Sequence, residues 1–168
     1  NIFLAGDANP GFRFIVISPK GSGHAVNGLS VTNNVFRKSG TAIDRVETVD
    51  TTHAVLLPQS FRNVVFANNT FTGVTQPTIS PVMVEHTQNT AGTTWVVNAG
   101  AYLPFGGWAR NVEAIVLEGP VSNAANAVQW VQPYADVEMG TNKNEIHLKW
   151  PSAVKGKAIV TLRCDNPY

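Results

Sequence analysis

Two stretches of this chain repeat the same order of apolar and polar positions. Asn27-Gly-Leu-Ser-Val-Thr-Asn-Asn-Val-Phe36 and Arg62-Asn-Val-Val-Phe-Ala-Asn-Asn-Thr-Phe71 align residue for residue: Leu29 with Val64, Val31 with Phe66, Asn33-Asn34 with Asn68-Asn69, and Phe36 with Phe71. Each alternates with period two, as a strand does, and then turns at Asn-Asn. Asparagine tolerates the left-handed conformation that a tight corner demands, so the pair makes a corner at little steric cost. The Phe beyond it points inward and stacks on its counterpart. Repetition of this kind predicts turns of a parallel solenoid, in which each turn covers the inner face of the next. Apolar runs ending in proline, Phe12 to Pro19 and His53 to Pro58, precede the copies and are expected to be the preceding strand of each turn. The 35-residue step between copies exceeds the roughly 20–29 residues of compact solenoid repeats. Arg37 to Thr52 is expected to bulge out as a loop and absorb the excess. Two chance Asn-Asn hairpins in a sandwich are the plainer alternative.

Beyond Pro77 the texture changes. Seven short runs (Val82–Thr87, Thr93–Val97, Val112–Leu117, Val128–Val131, Ala135–Met139, Glu145–Trp150 and Lys157–Arg163) lie between Gly, Pro and Asn clusters. Their spacing is that of antiparallel sheets. Alternation is sharpest where Ile146, Leu148 and Trp150 oppose Glu145, His147 and Lys149, giving one dry face and one wet. No segment holds an i, i+3, i+4, i+7 stripe for three turns. The expected fold class is all-β: last rungs of a parallel β-helix over residues 1–76, then an antiparallel β-sandwich over 77–168. Pro77, Pro81 and the Gly73/Thr75 neighbourhood mark the seam.

Composition narrows the partners. Of 168 residues only 14% are charged, with 12 Lys+Arg against 11 Asp+Glu and a formal charge of +1. No basic block is present, so nucleic acid is not an expected partner. Hydrophobic residues reach 43%, which argues against disorder. No run of 18 apolar residues exists, so no membrane insertion is expected. The opening Asn-Ile-Phe-Leu lacks a Met, a charged leader or a cleavage site and reads as a piece of something longer. One cysteine, Cys164, excludes an intramolecular disulfide framework and is most simply a small buried hydrophobe.

Candidate chemistry is sparse. Asp44, Glu47 and Asp50 form the densest group of acids, and paired carboxylates beside a sugar act as acid and nucleophile or base when their separation fits. The plainer reading is a solvated loop in which Arg45 pairs internally. Gly21-Ser-Gly-His24 only partly resembles the Gly-His-Gly signature of pectin-degrading hydrolases. Ala25 and Val26 follow the His and no Asn-Thr-Asp or Asp-Asp partner is evident, so a turn between strands is expected. The four histidines are scattered, without Cys or HxxxH spacing, which argues against zinc; calcium through acidic loop residues stays open without EF-hand spacing to support it, no metal site is assigned and no cofactor is expected. The sequence holds no Gly-x-Ser-x-Gly elbow, P-loop or dinucleotide fingerprint. Aromatic residues offer more. Tyr102-Leu-Pro-Phe-Gly-Gly-Trp108 carries three rings in a Gly/Pro-rich loop, and Trp130 and Tyr134 flank the turn at Pro133. Such rings suit sugar stacking or a protein interface; the plainer reading is that they plug a small core.

The Asn-Asn-x-Phe rungs followed by a carboxyl-terminal β-domain resemble the distal part of right-handed parallel β-helix proteins, the group of pectate-lyase-like proteins and bacteriophage tailspikes. The resemblance is architectural and covers about residues 10–75. It implies an extracellular, cell-surface or virion-tail setting, a polysaccharide partner, and a homotrimer closed by the carboxyl-terminal domain. It transfers no catalytic residue. The function expected is to cap and trimerise the β-helix of a polysaccharide-targeting protein, leaving catalysis to a parent hydrolase or lyase. The alternatives are a carbohydrate-binding module using Tyr102, Trp108, Trp130 and Tyr134, or a share in a hydrolase or lyase site through Asp44, Glu47 or Asp50.

Overall fold

The twin segments lie side by side and parallel, in the register their sequences predict. A computed structural model describes residues 1–167, an all-β chain whose helical content is two single 3₁₀ turns at Pro58–Ser60 and Pro104–Gly106. Parallel and antiparallel sheets segregate into two units. The first comprises Asn1–Pro81, Ala101–Gly107 and the described residues from Cys164; the second comprises Val82–Gly100 and Trp108–Arg163.

The first unit holds nine strands of two to four residues: β1 Ile2–Ala5, β2 Ile15–Ile17, β3 Val26–Asn27, β4 Ser30–Thr32, β5 Val35–Lys38, β6 Glu47–Val49, β7 Phe61–Arg62, β8 Val65–Ala67 and β9 Thr70–Thr72. All pair in parallel. β1, β5 and β9 form one sheet, and β2–β6, β3–β7 and β4–β8 form pairs. Val31 sits beside Phe66 and Phe36 beside Phe71. The corners are made as expected: Asn33 and Asn68 both adopt φ of 56°. Their neighbours form a ladder, with Asn1 Nδ2 donating to Asn34 Oδ1 at 3.2 Å, Asn34 N–H donating to Asn69 Oδ1 at 3.0 Å, and Asn69 Nδ2 donating to the Val31 carbonyl at 2.8 Å. Beneath it the rings of Phe3, Phe36 and Phe71 stack at centroid distances of 5.1 and 5.8 Å, close to the strand spacing. Gly73 has φ of +67°, and a Cβ there would lie 2.0 Å from the Lys38 carbonyl oxygen, so only glycine fits beneath that turn.

Two expectations change here. The Arg37–Thr52 stretch is no bulging loop. Ile43 bridges to Val74 and β6 pairs with β2, so Ile43, Val46 and Glu47 are buried. The His53–Pro58 run, in turn, is not a strand and does not stack on Phe12–Pro19; the partner of Ile15–Ile17 is Glu47–Val49. The period-two pattern of Ile43, Glu47 and Val49 is weak because one inward position is an acid, which disguises the strand.

The second unit is antiparallel. It contains β10 Val82–Asn98, β11 Asn111–Leu117, β12 Val121–Ser122, β13 Val128–Gln129, β14 Tyr134–Met139 and β15 Glu145–Arg163. β10 and β15 run 17 and 19 residues, and each absorbs two of the short runs predicted for a sandwich. They pair along their length, and β14, β12 and β11 pair successively with the other edge of β15. The result is one six-stranded sheet, not closed into a barrel, instead of the two stacked sheets a sandwich requires. Irregularities in the ladder between Gln88 and Thr94 explain the broken pattern. Val82 faces Leu162 before them and Trp95 faces Leu148 after them. The inward set of β10 thus switches from even to odd positions, as a one-residue slip requires. Trp95 lies at the centre, donating Nε1–H to the Val154 carbonyl at 3.0 Å and packing on Trp150 at 4.6 Å.

The seam also differs from the expected 76/77 boundary. The chain leaves the first unit after Pro81 and returns to it twice, at Ala101–Gly107 and from Cys164. No local pattern could have announced those returns.

Candidate functional site

The acids singled out in sequence do not converge. Glu47 is fully buried: its carboxylate accepts the Arg45 Nε–H at 2.9 and 3.1 Å and the Phe105 backbone N–H at 2.8 Å. Asp44 is exposed and pairs with Arg13. Asp50 accepts from Ser18 Oγ and from the Thr52 hydroxyl and N–H. The Thr52 bonds, then that of Ser18, hold the Asp50 carboxyl below its ordinary value of 3.8. The three groups thus serve separate networks, and Glu47 is held by Arg45 and the Phe105 N–H.

That ion pair organises one end of the first unit. Arg45 donates to the carbonyls of Ala101 and Leu103 at 3.1 and 2.7 Å, while Glu47 takes the Phe105 N–H. The Phe105 ring is thereby set edge-on to Phe61 and Phe66 at 6.1 and 5.8 Å. Asp165 accepts the Val64 N–H at 3.0 Å, and Ser80 pairs with Phe66. Phe105, itself half-buried, thus covers the buried Phe61 and Phe66, and Leu103, Pro104 and Gly107 around it are buried. Tyr102 stays partly exposed beside them, its carbonyl accepting the Ile79 N–H. Trp108 belongs to the second unit and is half-buried. His24 Nδ1 accepts the Lys20 N–H at 3.0 Å, closing a turn between β2 and β3. Cys164 is buried beside Ser80. Among the described residues no three His, Cys, Asp or Glu gather into a metal-binding group, and no helix is long and apolar enough to cross a membrane.

A concave surface lies in the second unit. β11 pairs with β15 on one side, and the segment Gln129–Pro133 faces it across an open groove. Gln129 pairs with β12, and among the described residues no strand pairing holds Trp130, which turns outward, 93% exposed. The widest part, about 740 Å³, lies between Leu117, Pro120 and Val121 on one side and Gln129, Trp130 and Val131 on the other. It shares Leu117 and Gln132 with a 340 Å³ hollow reaching Val112 and Pro133. At Pro120 it meets a third hollow of 350 Å³, lined by Gln88, Asn89, Ser122, Lys155 and Lys157. Alternation along β15 buries Val154 and Ala158 and turns Lys155 and Lys157 outward. Gly156 between them lets Val121 approach, since a Cβ there would stand 3.2 Å from its Cγ1.

Of the four aromatic candidates, Trp130 alone lines this groove; Tyr134 is exposed on β14 and Tyr102 lies in the other unit. Sequence reasoning missed Lys155, Lys157, Gln129 and Gln132. The Lys-Gly-Lys spacing was the available signal, because residues two apart on a strand share a face. No family model matches the chain, and comparison with curated proteins and with solved structures gives no match.

Proposed function

We propose that this chain is the distal, closing module of a polysaccharide-targeting parallel β-helix protein and that it assembles as a homotrimer. The observation that carries the reading is the asymmetry of the first unit. Phe105, set by the Arg45–Glu47 pair, covers the layer of Phe61 and Phe66, and of the two edge strands β1 exposes apolar Ile2, Phe3 and Leu4 where β9 exposes Thr70 and Thr72. A stack of parallel strands needs such a closure at its end and continues where its edge is open. Trimerisation is supported by β10. Among the described residues its outer edge has no strand partner, and it contains neither Lys nor Pro, Glu85 being its one acid. Met83 and Val96 stand exposed on the same strand.

Sedimentation velocity on the whole chain and on Phe105→Asp tests both parts. The native chain is expected at three times its 18.0 kDa mass, and the variant in larger, concentration-dependent species because its closed end is opened. A single 18.0 kDa species for the native chain at micromolar concentration removes the trimer. A variant that sediments as the native chain does removes the closure.

A further inference from the structure

β1 is the last member of a repeated column, and we infer that its open edge takes one further parallel strand reading Asn-aliphatic-Phe-aliphatic. The inference rests on the closing-module reading above and names the strand against which the module closes. Asn1-Ile2-Phe3 is a third copy of the motif carried by Asn34-Val35-Phe36 and Asn69-Thr70-Phe71. The register sets Ile2 beside Val35 and Val35 beside Thr70, with Phe3, Phe36 and Phe71 in one column. The asparagines that bond between layers are 33 and 35 residues apart. Layer docks on layer through the same contacts from β9 to β5 and from β5 to β1, and a strand added at β1 continues that interface. Ile2–Ala5 carries no charge or proline of the kind that guards an exposed edge.

Hydrogen bonding specifies what that strand supplies. Asn69 Oδ1 accepts from Asn34, and Asn34 Oδ1 accepts from Asn1 Nδ2 at 3.2 Å, but among the described residues nothing donates to Asn1 Oδ1. An asparagine one layer out serves Asn1 as Asn1 serves Asn34. Val35 and Ser39 donate to the Asn1 and Ala5 carbonyls at 2.8 and 3.0 Å, so those carbonyls face β5. Alternation along the strand then turns the N–H and C=O groups of Ile2 and Leu4 to the open side, where only another backbone satisfies them in series. Ring packing fixes the next position. Phe3 lies nearly parallel to Phe36, with 10° between the planes, and is 40% exposed, whereas Phe36, stacked on both sides, is fully buried. A Phe on the added strand gives Phe3 its second neighbour. Ile2 and Leu4 set the flanks. They are 69% and 68% exposed, where the matching positions of β9 are Thr70 and Thr72. Aliphatic side chains beside them recover cross-strand packing. The occupant is thus a polypeptide strand from the turn that leads into this module.

The probe is a synthetic peptide with the sequence of Ser30–Ser39, which carries Asn-Val-Phe, added to the whole chain and followed by amide hydrogen exchange. The same peptide with Asn34→Leu or Phe36→Ala is the control. At saturation the native peptide is expected to slow exchange at Ile2 and Leu4 by about tenfold and to leave Thr70–Thr72 unchanged. Each altered peptide is expected to bind about tenfold more weakly, having lost the ladder bond or the ring stack. Ile2→Lys with Leu4→Lys in the chain is expected to abolish binding and leave the circular dichroism unchanged, because both side chains face solvent. No binding at millimolar peptide, or equal binding of native and altered peptides, overturns the inference. Protection that arises at β9 in place of β1, or binding that survives the paired lysines, overturns the site. Sedimentation of the same samples and of Phe105→Asp reports on the closing-module reading separately. A monomer that takes the peptide at β1 removes the trimer alone, and a closed trimer that refuses the peptide removes this inference alone.

Discussion

The two units solve one problem, burying the inner faces of thin sheets, by opposite means. The parallel unit uses strands of two to four residues and obtains its order from columns: Phe3 on Phe36 on Phe71, and Asn1 on Asn34 on Asn69. Each column links residues far apart in the chain, so its members act together. The antiparallel unit uses two strands of 17 and 19 residues whose partners slide past one another. Its core is a row of side chains around the Trp95–Trp150 pair, tolerant of bulges because each rung of the ladder is locally satisfied. Cohesion is thus columnar in one unit and linear in the other. The first should fail as a block when one layer is removed, the second only near the lesion.

The sharpest way to break this contrast is Phe36→Ala. Its ring is fully buried between Phe3, Phe14 and Phe71, so a loss of about 3–5 kcal/mol is expected. Amide hydrogen exchange should show protection falling across β1, β5 and β9 together while β10 and β15 keep theirs. Protection lost only at Phe36 would mean the columns are not cooperative.

A smaller effect sharpens the other side. Trp95 and Trp150 touch, yet Trp95 donates to Val154 whereas Trp150 Nε1 is buried with no partner among the described residues. Trp95→Phe orphans a buried carbonyl; Trp150→Phe removes an orphaned donor. The first should cost about 1–3 kcal/mol more than the second by denaturant midpoint. Equal costs would mean that ring volume alone governs this core.

The smallest effect concerns acid. Asp50 titrates below its ordinary value because Thr52 and Ser18 donate to it. A carboxyl lowered on folding contributes stability that is present above the unfolded value of 3.8 and lost as pH falls through the folded one. Asp50→Asn should therefore flatten the decline of the unfolding midpoint below pH 3.8 and leave neutral pH nearly unchanged. A steeper acid decline would contradict the hydrogen-bond origin.

How far each region could be read from the chain follows from the same contrast. Parallel stacking sets like beside like at a fixed step, so Val31 and Phe66, or Asn34 and Asn69, appear as a repeat before any coordinates exist. The Asn33 and Asn68 corners were legible for the same reason, since few residues other than glycine accept φ near 56°. Antiparallel pairing leaves no repeat, because partners run in opposite directions, and the bulges within β10 reverse its inside and outside midway. Hence β10 looked like two strands, and β15, whose buried positions are all even, looked like two because Pro151, Ser152 and Ala153 in its middle are exposed. Glu47 was misread by type: an acid in a polar stretch suggests solvent until Arg45 and the Phe105 N–H are found around it. At the groove, Trp130 was legible as an aromatic beside a turn, but Lys155 and Lys157 line an adjoining hollow that meets the groove at Pro120, and pairing of β12 with β15 places them there.

By itself, then, the sequence determined the all-β class, the Asn-Asn corners, the register of the repeated strands and the near-neutral surface, because each depends on local conformational preference or on a periodic pattern. Tertiary structure alone decided which segments close the stack, which acids are sealed and which side chains share a groove. Those depend on where distant pieces of chain return, and contacts across such distances leave no trace in local composition.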